Sequence, residues 1–322
     1  MAPPARPPGR AKAIVRNVVP WLVAVAAIVW MTRIVSWGDL RAAFQRASFG
    51  PFVAASVVLL FANCAADSFA MYYTFGWFGC RVPYRELFIV RAATYLLAVV
   101  QYYVGQAAII GFLRNRYGVP GWRAAGFILF ISGINMGVLV LLAAAGMATG
   151  NAPVHWLRYV ALAVGGGAIG YALLLVARPP SLARSRLLGP LFEMGVAGHL
   201  KATAVRLPHV TVLLVWHYLA LRVFGVEVTP LVALIYLPAV FFAAALPISV
   251  QGLGLSQAAA VAFFARYAGG NAAPVLAYSI TMTSISLVVQ VAMGLIFLPA
   301  GKSIGMGPPS EPPAVLEATS DG

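Results

Sequence analysis

The chain has 322 residues, of which 61% are hydrophobic and 9% are charged. Soluble globular domains have about a quarter of their residues charged, so this composition excludes that class and indicates an integral membrane protein. The net charge of +14 does not indicate a nucleic-acid partner, because the basic residues lie at the ends of apolar runs, as topology signals and lipid-headgroup contacts do.

Apolar runs that reach the roughly 20 residues needed to cross a bilayer predict six transmembrane helices. These helices are expected at residues 18–35, 52–78, 124–148, 156–177, 208–225 and 275–299. The basic N-terminus, residues 1–17, and the C-terminal tail, residues 301–322, are rich in proline and are predicted to be disordered. The helices form two membrane repeats, residues 18–150 and 151–300. Residues 178–207, with Pro179, Pro180 and five basic residues, are predicted to be a cytoplasmic loop in the second repeat.

Two further apolar segments are interrupted by glycine and glutamine, and they span residues 87–113 and 230–266. Residues 101–117 and 251–267, which overlap the ends of these segments, resemble each other. Each contains a Gln, a Gly, a second Gln followed by two alanines, and a final Arg-Tyr pair, and the second glutamines are 151 residues apart. In a membrane protein, paired broken segments at matching places in two halves indicate a central substrate site.

The distribution of basic residues tests this layout. If the N-terminus is inside and each interrupted segment returns to its starting side, the basic residues outside are Arg33, Arg41, Arg46, Arg158, Arg222 and Arg266. The other 16 of the 22 Lys and Arg residues lie inside, which is a strong positive-inside bias. Each half then has three full crossings, so we expect an all-α inverted repeat with two re-entrant hairpins. The alternative is that both segments are ordinary helices with packing glycines, and that their similarity is chance.

The second interrupted segment contains Leu-Pro-Ile-Ser-Val-Gln-Gly-Leu-Gly-Leu-Ser-Gln at residues 246–257. This stretch resembles the Pro-x-Ser-x-Gly-Gly-x-Gly-x-Arg-Glu signature of the lysylphosphatidylglycerol synthetase/flippase family. The Gly-Gln pair at 105–106 with the basic cluster at 113–118, and the Trp-Gly-Asp-Leu turn at 37–40, resemble the same family. The resemblance covers residues 15–300. It implies translocation of a lipid with a polar headgroup across the bacterial inner membrane.

The chain departs from the family pattern at the charged positions. Ser256 and Gln257 stand where the family has Arg-Glu, and Gln106 and Ile109 stand where it has Glu and Arg. The missing charges argue against a cationic aminoacyl headgroup as the substrate. Only about 20 residues follow the last predicted helix, so we expect a stand-alone membrane protein without the family's synthase chemistry.

The broken segments supply the predicted substrate-binding residues. These are Gln101, Gly105, Gln106, Ser249, Gln251, Gly252, Gly254, Ser256 and Gln257. Neutral amides both donate and accept hydrogen bonds, and beside glycine they can present amides and helix N-termini to a phosphate. The alternative is that these side chains satisfy backbone groups freed by the helix breaks.

Asp67 is the one acid predicted to lie deep within an apolar run. An intramembrane carboxylate costs roughly 2.5–3.5 kcal/mol on insertion scales and indicates a functional site. We expect it to bind a proton or to pair with Arg91; a structural hydrogen-bonding role is the alternative. It belongs to a predicted polar pathway formed by Asn63, Asp67, Asn135, Ser279, Thr283, Ser286 and Gln290. For the other members the alternative is hydrogen bonding between helices, worth about 0.6–2 kcal/mol per contact.

Three arginines at the predicted cytoplasmic face, Arg114, Arg116 and Arg123, are expected to gather anionic lipid headgroups. The alternative is that they act as topology signals, without binding a substrate.

These features favour a flippase-like lipid translocase that moves a polar-headgroup phospholipid or a lipid-linked precursor across the bacterial inner membrane, with both termini cytoplasmic. Its expected partners are membrane lipids with polar or anionic headgroups, and no nucleic acid. We predict no cofactor, no metal site and no catalytic residue, because the sequence has no intramembrane acid pair and no His/Cys cluster. Two alternatives stay open: a membrane-embedded lipid-modifying enzyme, and a non-transporting partner of a separately encoded lipid synthase.

Overall fold

The computed structural model describes residues 29, 33, 35–46, 49–100, 102–148, 157–245 and 254–306, and this part of the chain is helical without β-strands. The α-helices are α1 Trp37–Arg46, α2 Phe49–Trp77, α3 Tyr84–Val100, α4 Tyr102–Tyr117, α5 Gly121–Ala148, α6 Leu157–Ala177, α7 Pro180–Ala183, α8 Gly189–Val223, α9 Pro230–Ala245, α10 Leu255–Phe264 and α11 Ala272–Gly301. A 3-10 turn at Ala265–Ala268 follows α10, and a π-helical turn at Lys302–Met306 follows α11. The all-helical prediction is confirmed for these residues.

Four helices in the described part, α2, α5, α8 and α11, are long and apolar enough to cross a membrane. Two more, α6 and α9, contain shorter apolar stretches at Leu162–Ala177 and Pro230–Ala244. The chain is therefore a multi-pass membrane protein. Nearly all of the first predicted crossing, residues 18–35, and the whole N-terminal segment, residues 1–17, lie outside the described residues.

The prediction of a loop at residues 178–207 is wrong for most of its length. The short helix α7 begins at Pro180, and α8 begins at Gly189 with Pro190 in its first turn, where the missing N–H of proline costs nothing. Within this stretch Gly198, Ala202 and Arg206 are buried at a spacing of four residues, which places them on one face of α8. Burial of that face against neighbouring helices stabilises a helix where the prolines and charges of the sequence predict a loop.

The predicted tail also begins too early. The last helix α11 continues to Gly301, and residues 302–306 add a further helical turn in which Met306 packs near Gly301. Residues 307–322 of the predicted tail lie outside the described residues.

The first interrupted segment is a helical hairpin made of α3 and α4. Gly105 near the start of α4 is buried, and a Cβ atom there would lie 3.1 Å from the backbone oxygen of Thr94 and 3.0 Å from the Cβ of Ala98. Glycine therefore permits the close approach of the two helices. At the other end, Arg116 Nη2 donates to Glu86 Oε1 over 3.1 Å, so the first and last turns of the hairpin meet.

The second interrupted segment, α9 with α10 and the 3-10 turn, has the same form. The Tyr236 ring stacks on Phe263 with centroids 5.1 Å apart, and Arg266 Nη2 donates to the Tyr236 hydroxyl over 3.0 Å. The Glu227 N–H also donates to the carbonyl oxygen of Tyr267 over 2.8 Å, which joins the chain just before α9 to the chain just after α10. The connection between the two helices, residues 246–253, lies outside the described residues.

The two hairpins are closed by equivalent contacts. The Glu86–Arg116 and Tyr236–Arg266 bonds each join residues 30 positions apart, and the second pair follows the first by 150 positions. The helices also pack in matching pairs, because α3 lies along α11, α9 lies along α5, and α2 lies along α8. The first helix of each hairpin therefore packs against the long helix that follows the other hairpin.

The open ends of the hairpins lie at opposite ends of α8. Arg123 at the start of α5, a few residues after the first hairpin, bonds to Glu193 at the start of α8 over 3.0 Å. The second hairpin begins and ends beside Glu227, which follows the last turn of α8. A kink at Gly195 (φ 55°) and about 40 Å of helix separate these two ends.

The Glu86 carboxylate accepts hydrogen bonds from Arg116 and from the Tyr117 hydroxyl, the latter over 2.7 Å. Burial alone raises the pKa of Glu86, but the hydrogen bonds from Tyr117 and Arg116 outweigh burial and hold the pKa below its usual value. Burial and the bond to Glu86 raise the pKa of Tyr117 to about 12. The ionised carboxylate is thus the form that closes the first hairpin.

We expect the contribution of Glu86 to stability to depend on pH. A carboxyl whose pKa is lower in the folded protein stabilises it above the unfolded pKa, about 4.3 for glutamate, and that contribution is lost as the pH falls through the folded pKa. The variant Glu86→Gln is expected to melt at a slightly lower temperature than the wild type at pH 7, and this difference should shrink below about pH 4. Thermal unfolding in detergent measures both values.

The matched control is Glu227→Gln, which changes an exposed carboxylate whose residue takes part in closing the second hairpin through its backbone. It should follow the wild-type melting temperature at every pH. A Glu86→Gln difference that is constant across the pH range would contradict this account of hairpin closure.

Candidate functional site

A buried ionic cluster lies where α2, α3 and α8 meet. The Asp67 carboxylate of α2 pairs with Arg91 of α3 through one oxygen and with Arg206 of α8 through the other. The side chains of Asp67, Arg91 and Arg206 are 3%, 12% and 7% exposed, so three charges are almost removed from solvent. The pairing of Asp67 with Arg91 agrees with one of the two roles expected of this acid. The participation of Arg206 differs from the sequence prediction, which places this residue in a loop.

A fourth helix joins the cluster through Asn135 of α5. Arg206 Nε donates to Asn135 Oδ1 over 3.0 Å, so the guanidinium of Arg206 bridges α2 and α5. Arg91 is held on its other side by an aromatic ring, since its Cζ lies 5.1 Å from the centroid of Tyr95 one turn further along α3. The structure thus brings together two predicted pathway residues, Asp67 and Asn135, around an arginine that the sequence analysis missed.

Two more polar groups lie beside this cluster. His209, one turn after Arg206, has Nδ1 3.3 Å from the backbone oxygen of Asn63, where an Nδ1–H donates. Asn63 itself is one turn before Asp67, and its side-chain Oδ1 is buried without a hydrogen-bond partner in the described part of the chain. An unsatisfied buried acceptor costs about 1–3 kcal/mol, so a donor from a bound molecule would be favourable here.

The charges of the cluster do not balance. Two guanidinium groups face one carboxylate, and arginine does not lose its proton in proteins, so this centre has an excess positive charge. Burying charge in a membrane protein is costly, and buried charges there mark functional sites such as substrate paths, ion paths and proton relays. Arginine has five N–H donors in a planar fork that fits phosphate and carboxylate. The arrangement is therefore suited to bind an anionic group.

The equivalent positions of the second repeat are uncharged. When the two halves are aligned with a shift of 150 residues, His217 is equivalent to Asp67 and Phe241 is equivalent to Arg91. The His217 ring lies edge-on to Phe241 with centroids 4.7 Å apart, and its Nδ1 is 2.6 Å from the hydroxyl of Tyr278. The two halves thus share a helix arrangement, but the charges of Asp67 and Arg91 have no counterpart at these positions of the second half.

The second helix break has its own hydrogen-bond network. Gly254 has a φ of 85° at the start of α10, and its N–H donates to Gln257 Oε1 over 2.7 Å. The Ser256 hydroxyl donates to the same oxygen over 3.2 Å, and Gln257 Nε2 donates to Thr283 Oγ1 over 3.3 Å. Thr283 in turn donates to the backbone oxygen of Ser279. In this state the side-chain amide of Gln257 accepts from the backbone N–H at the helix break and donates to α11. This is the alternative stated for the predicted binding residues, in which they satisfy backbone groups freed by the breaks.

The predicted site residues therefore divide into two groups. Asp67 belongs to the ionic cluster, and Asn63 and Asn135 lie beside it. Ser256, Gln257, Ser279 and Thr283 belong to the network at the second break. Gly105 packs inside the first hairpin, and the side chains of Gln106, Ser286 and Gln290 are partly buried. Four predicted residues lie outside the described part of the chain: Gln101, Ser249, Gln251 and Gly252.

Two of the three arginines expected to gather headgroups have acidic partners. Arg116 bonds to Glu86, and Arg123 bonds to both oxygens of Glu193 over 3.0 and 3.2 Å. Arg114 is exposed. The described residues contain no group of three His, Cys, Asp or Glu side chains that could hold a metal ion.

A comparison with protein families gives a match over most of the chain. A model of the family described as the lysylphosphatidylglycerol synthase TM region matches residues 17–294, which include both hairpins and every residue of the ionic cluster. No curated protein sequence gives a significant match to the chain. The resemblance noted at the broken segments is thereby confirmed over most of the chain. This membrane protein belongs to the lysylphosphatidylglycerol synthase TM region family, which relates it to lipid modification or transport.

Proposed function

We propose that this protein is a lipid translocase that moves a lipid with an anionic headgroup across the bacterial inner membrane. The observation that carries this proposal is the buried cluster of Asp67, Arg91 and Arg206, whose excess positive charge lies inside an apolar helix bundle. A phosphate group is the anion that every phospholipid and every lipid-linked phosphate precursor presents. The headgroup would meet the two guanidinium groups while its acyl chains stay in the bilayer.

Asp67 has a specific role in this proposal. A transport site must bind its substrate well enough to admit it and weakly enough to release it. The Asp67 carboxylate contacts both guanidinium groups in this state, so an entering phosphate competes with it for their donors. This competition weakens net binding and leaves the cluster satisfied again once the lipid has left.

The excess positive charge also bears on the headgroup. A cationic aminoacyl headgroup would be repelled by Arg91 and Arg206, whereas an anionic or neutral polar headgroup is accepted. The buried Oδ1 of Asn63, without a partner in the described residues, supplies an acceptor for a headgroup hydroxyl. We therefore favour phospholipids with a net negative charge, of the phosphatidylglycerol type, or a polyprenyl phosphate.

We further propose that the two halves form an inverted repeat. The support is that both hairpins close through contacts 30 residues apart, and that their open ends lie at opposite ends of α8. Helices broken near the middle of a membrane commonly form the substrate site of transporters built in this way. The end that contains Arg116 and Arg123 would face the cytoplasm, because the majority of the basic residues fall on that side.

Transport by reconstituted protein tests the proposed function. In liposomes, the wild-type chain is expected to speed the movement of headgroup-labelled phosphatidylglycerol between leaflets. The variants Arg91→Gln and Arg206→Gln each remove a charged donor from the cluster, and we expect each to lower the rate about tenfold, because a hydrogen bond to a charged group is worth about 1.5–3 kcal/mol.

The control is Arg222→Gln, an exposed arginine on the same helix as Arg206, which should transport at the wild-type rate. Equal transport rates for the wild type and all three variants would show that the ionic cluster takes no part in transport. A wild-type protein that accelerates neither phosphatidylglycerol nor a polyprenyl phosphate would contradict the proposed function itself.

Removal of Asp67 gives a second prediction. Asp67→Asn leaves two buried guanidinium groups without their carboxylate, and breaking a buried ion pair costs about 3–5 kcal/mol. We expect this variant to melt below the wild type in detergent. Added phosphatidylglycerol should raise its melting temperature more than that of the wild type, because the lipid phosphate supplies the missing negative charge.

The comparison lipid is dioleoylglycerol, which has similar acyl chains and no phosphate, and which should stabilise both proteins equally. If phosphatidylglycerol stabilised the Asp67→Asn variant no more than dioleoylglycerol does, the cluster would not be accessible to a lipid phosphate.

A further inference from the structure

The two hairpins close through equivalent arginines, but the chemistry of the two closures differs. Arg116 bonds to a carboxylate, Glu86, which neutralises it. The counterpart of Glu86 at the second hairpin is Tyr236, and Arg266 bonds there to two phenol hydroxyls, those of Tyr236 and Tyr267. Within the described residues Arg266 forms no salt bridge. The second closure therefore retains a full positive charge.

The guanidinium of Arg266 is held in place by aromatic rings. Its Cζ lies 4.6 Å from the ring centroid of Tyr267 and 5.6 Å from that of Tyr236. Tyr236 is 1% exposed and stacks on Phe263, so it forms a rigid support. Arginine stacks well on aromatic faces, and this fixes the plane of its donor fork before a ligand arrives.

Part of this donor fork remains available. Both hydroxyl contacts use Nη2, and neither Nε nor Nη1 of Arg266 bonds to another residue in the part of the chain that the structure describes. The side chain is exposed. An arginine that presents two neighbouring donors from a fixed plane matches the oxygens of a phosphate group, which it binds through two parallel hydrogen bonds.

The position of Arg266 relates this donor fork to the membrane surface. The backbone bond between Glu227 and Tyr267 places it at the last turn of α8, about 40 Å of helix away from the end where Arg123 meets Glu193. That distance exceeds the roughly 30 Å of a bilayer's hydrocarbon core. Arginine and tyrosine are both common at the headgroup level of membranes.

We propose that Arg266, clamped between Tyr236 and Tyr267, binds the phosphate group of a phospholipid headgroup at the end of the bundle opposite Arg116. This proposal rests on the proposed function and adds to it a headgroup-binding site at one end of the helix bundle. The matching arginine at the other end, Arg116, is paired with Glu86. The two ends of the bundle therefore differ in their ability to bind a phosphate. A phosphate headgroup docks at the second hairpin and not at the first.

Lipid binding by the purified full-length chain in detergent tests this proposal. The apparent affinity for short-chain phosphatidylglycerol is measured from the lipid-dependent rise in melting temperature, for the wild type and for Arg266→Gln. We expect the variant to bind about tenfold more weakly, because it loses a charge-assisted pair of hydrogen bonds. Arg266→Lys keeps the charge and loses the planar fork, so its affinity should fall between the two.

Two matched controls use arginines elsewhere in the chain. Arg222→Gln removes an exposed arginine near the same end of α8, and Arg116→Gln removes the equivalent arginine of the first hairpin. Both should bind phosphatidylglycerol with wild-type affinity. If Arg222→Gln lowers the affinity as much as Arg266→Gln, the effect is one of general surface charge and the proposal is overturned.

A separate titration with inorganic phosphate distinguishes a lipid site from a site for free phosphate. Saturation by millimolar phosphate that depends on Arg266, with no Arg266-dependent binding of phosphatidylglycerol, would overturn the assignment to lipid. If Arg266→Gln does not fold, Tyr267→Phe keeps the arginine and removes one hydroxyl that positions it. A several-fold loss of affinity in that variant supports the clamp, and an unchanged affinity overturns it.

This outcome is independent of transport. If the wild type moves lipid in liposomes while Arg266→Gln binds phosphatidylglycerol with wild-type affinity, the proposed Arg266 site is wrong and the translocase proposal stands. If phosphatidylglycerol binding depends on Arg266 in a chain that moves no lipid, the clamp stands and the translocase proposal is wrong.

Discussion

The carboxylate of Asp67 is the constraint on which the rest of the site depends. It is almost fully buried and meets Arg91 and Arg206 from two other helices, and Arg206 extends the connection to Asn135 on a fourth. In a low-dielectric interior an unpaired charge is very costly, so the ion pairs fix the positions of α2, α3 and α8 relative to one another. The same carboxylate leaves one positive charge uncompensated, and this links the stability of the bundle to its proposed affinity for an anionic headgroup.

The arrangement of the helices repeats, but its chemistry does not. Both hairpins close by an arginine contact across 30 residues, and each packs its first helix against the long helix that follows the other hairpin. The charged cluster nevertheless has an uncharged counterpart around His217 and Phe241. Likewise, the acid that closes the first hairpin corresponds to a tyrosine in the second. Equivalent helices of the two halves therefore present different polar groups.

Sequence patterns predicted the helical class, the two hairpin segments and the buried position of Asp67, because each has a local signature. Gly and Gln in an apolar run indicate a break, and a lone intramembrane acid indicates a polar centre. The sequence does not predict the role of Arg206, because a charge near prolines indicates a loop and because its partner Asp67 is 139 positions away. The buried positions Gly198, Ala202 and Arg206, spaced by four, were the signal that could have placed it on a helix. The unequal partners of Arg116 and Arg266 also depend on contacts across 30 residues, which a local pattern does not contain.

The most direct test of the central claim is an experimental structure of the protein bound to phosphatidylglycerol in a lipid nanodisc. We predict density for a lipid phosphate within hydrogen-bond distance, about 3 Å, of the guanidinium groups of Arg91 and Arg206, with the Asp67 carboxylate displaced from at least one of them. Lipids bound only on the outer surface of the bundle, with the Asp67–Arg91–Arg206 cluster intact and closed in every state, would contradict it.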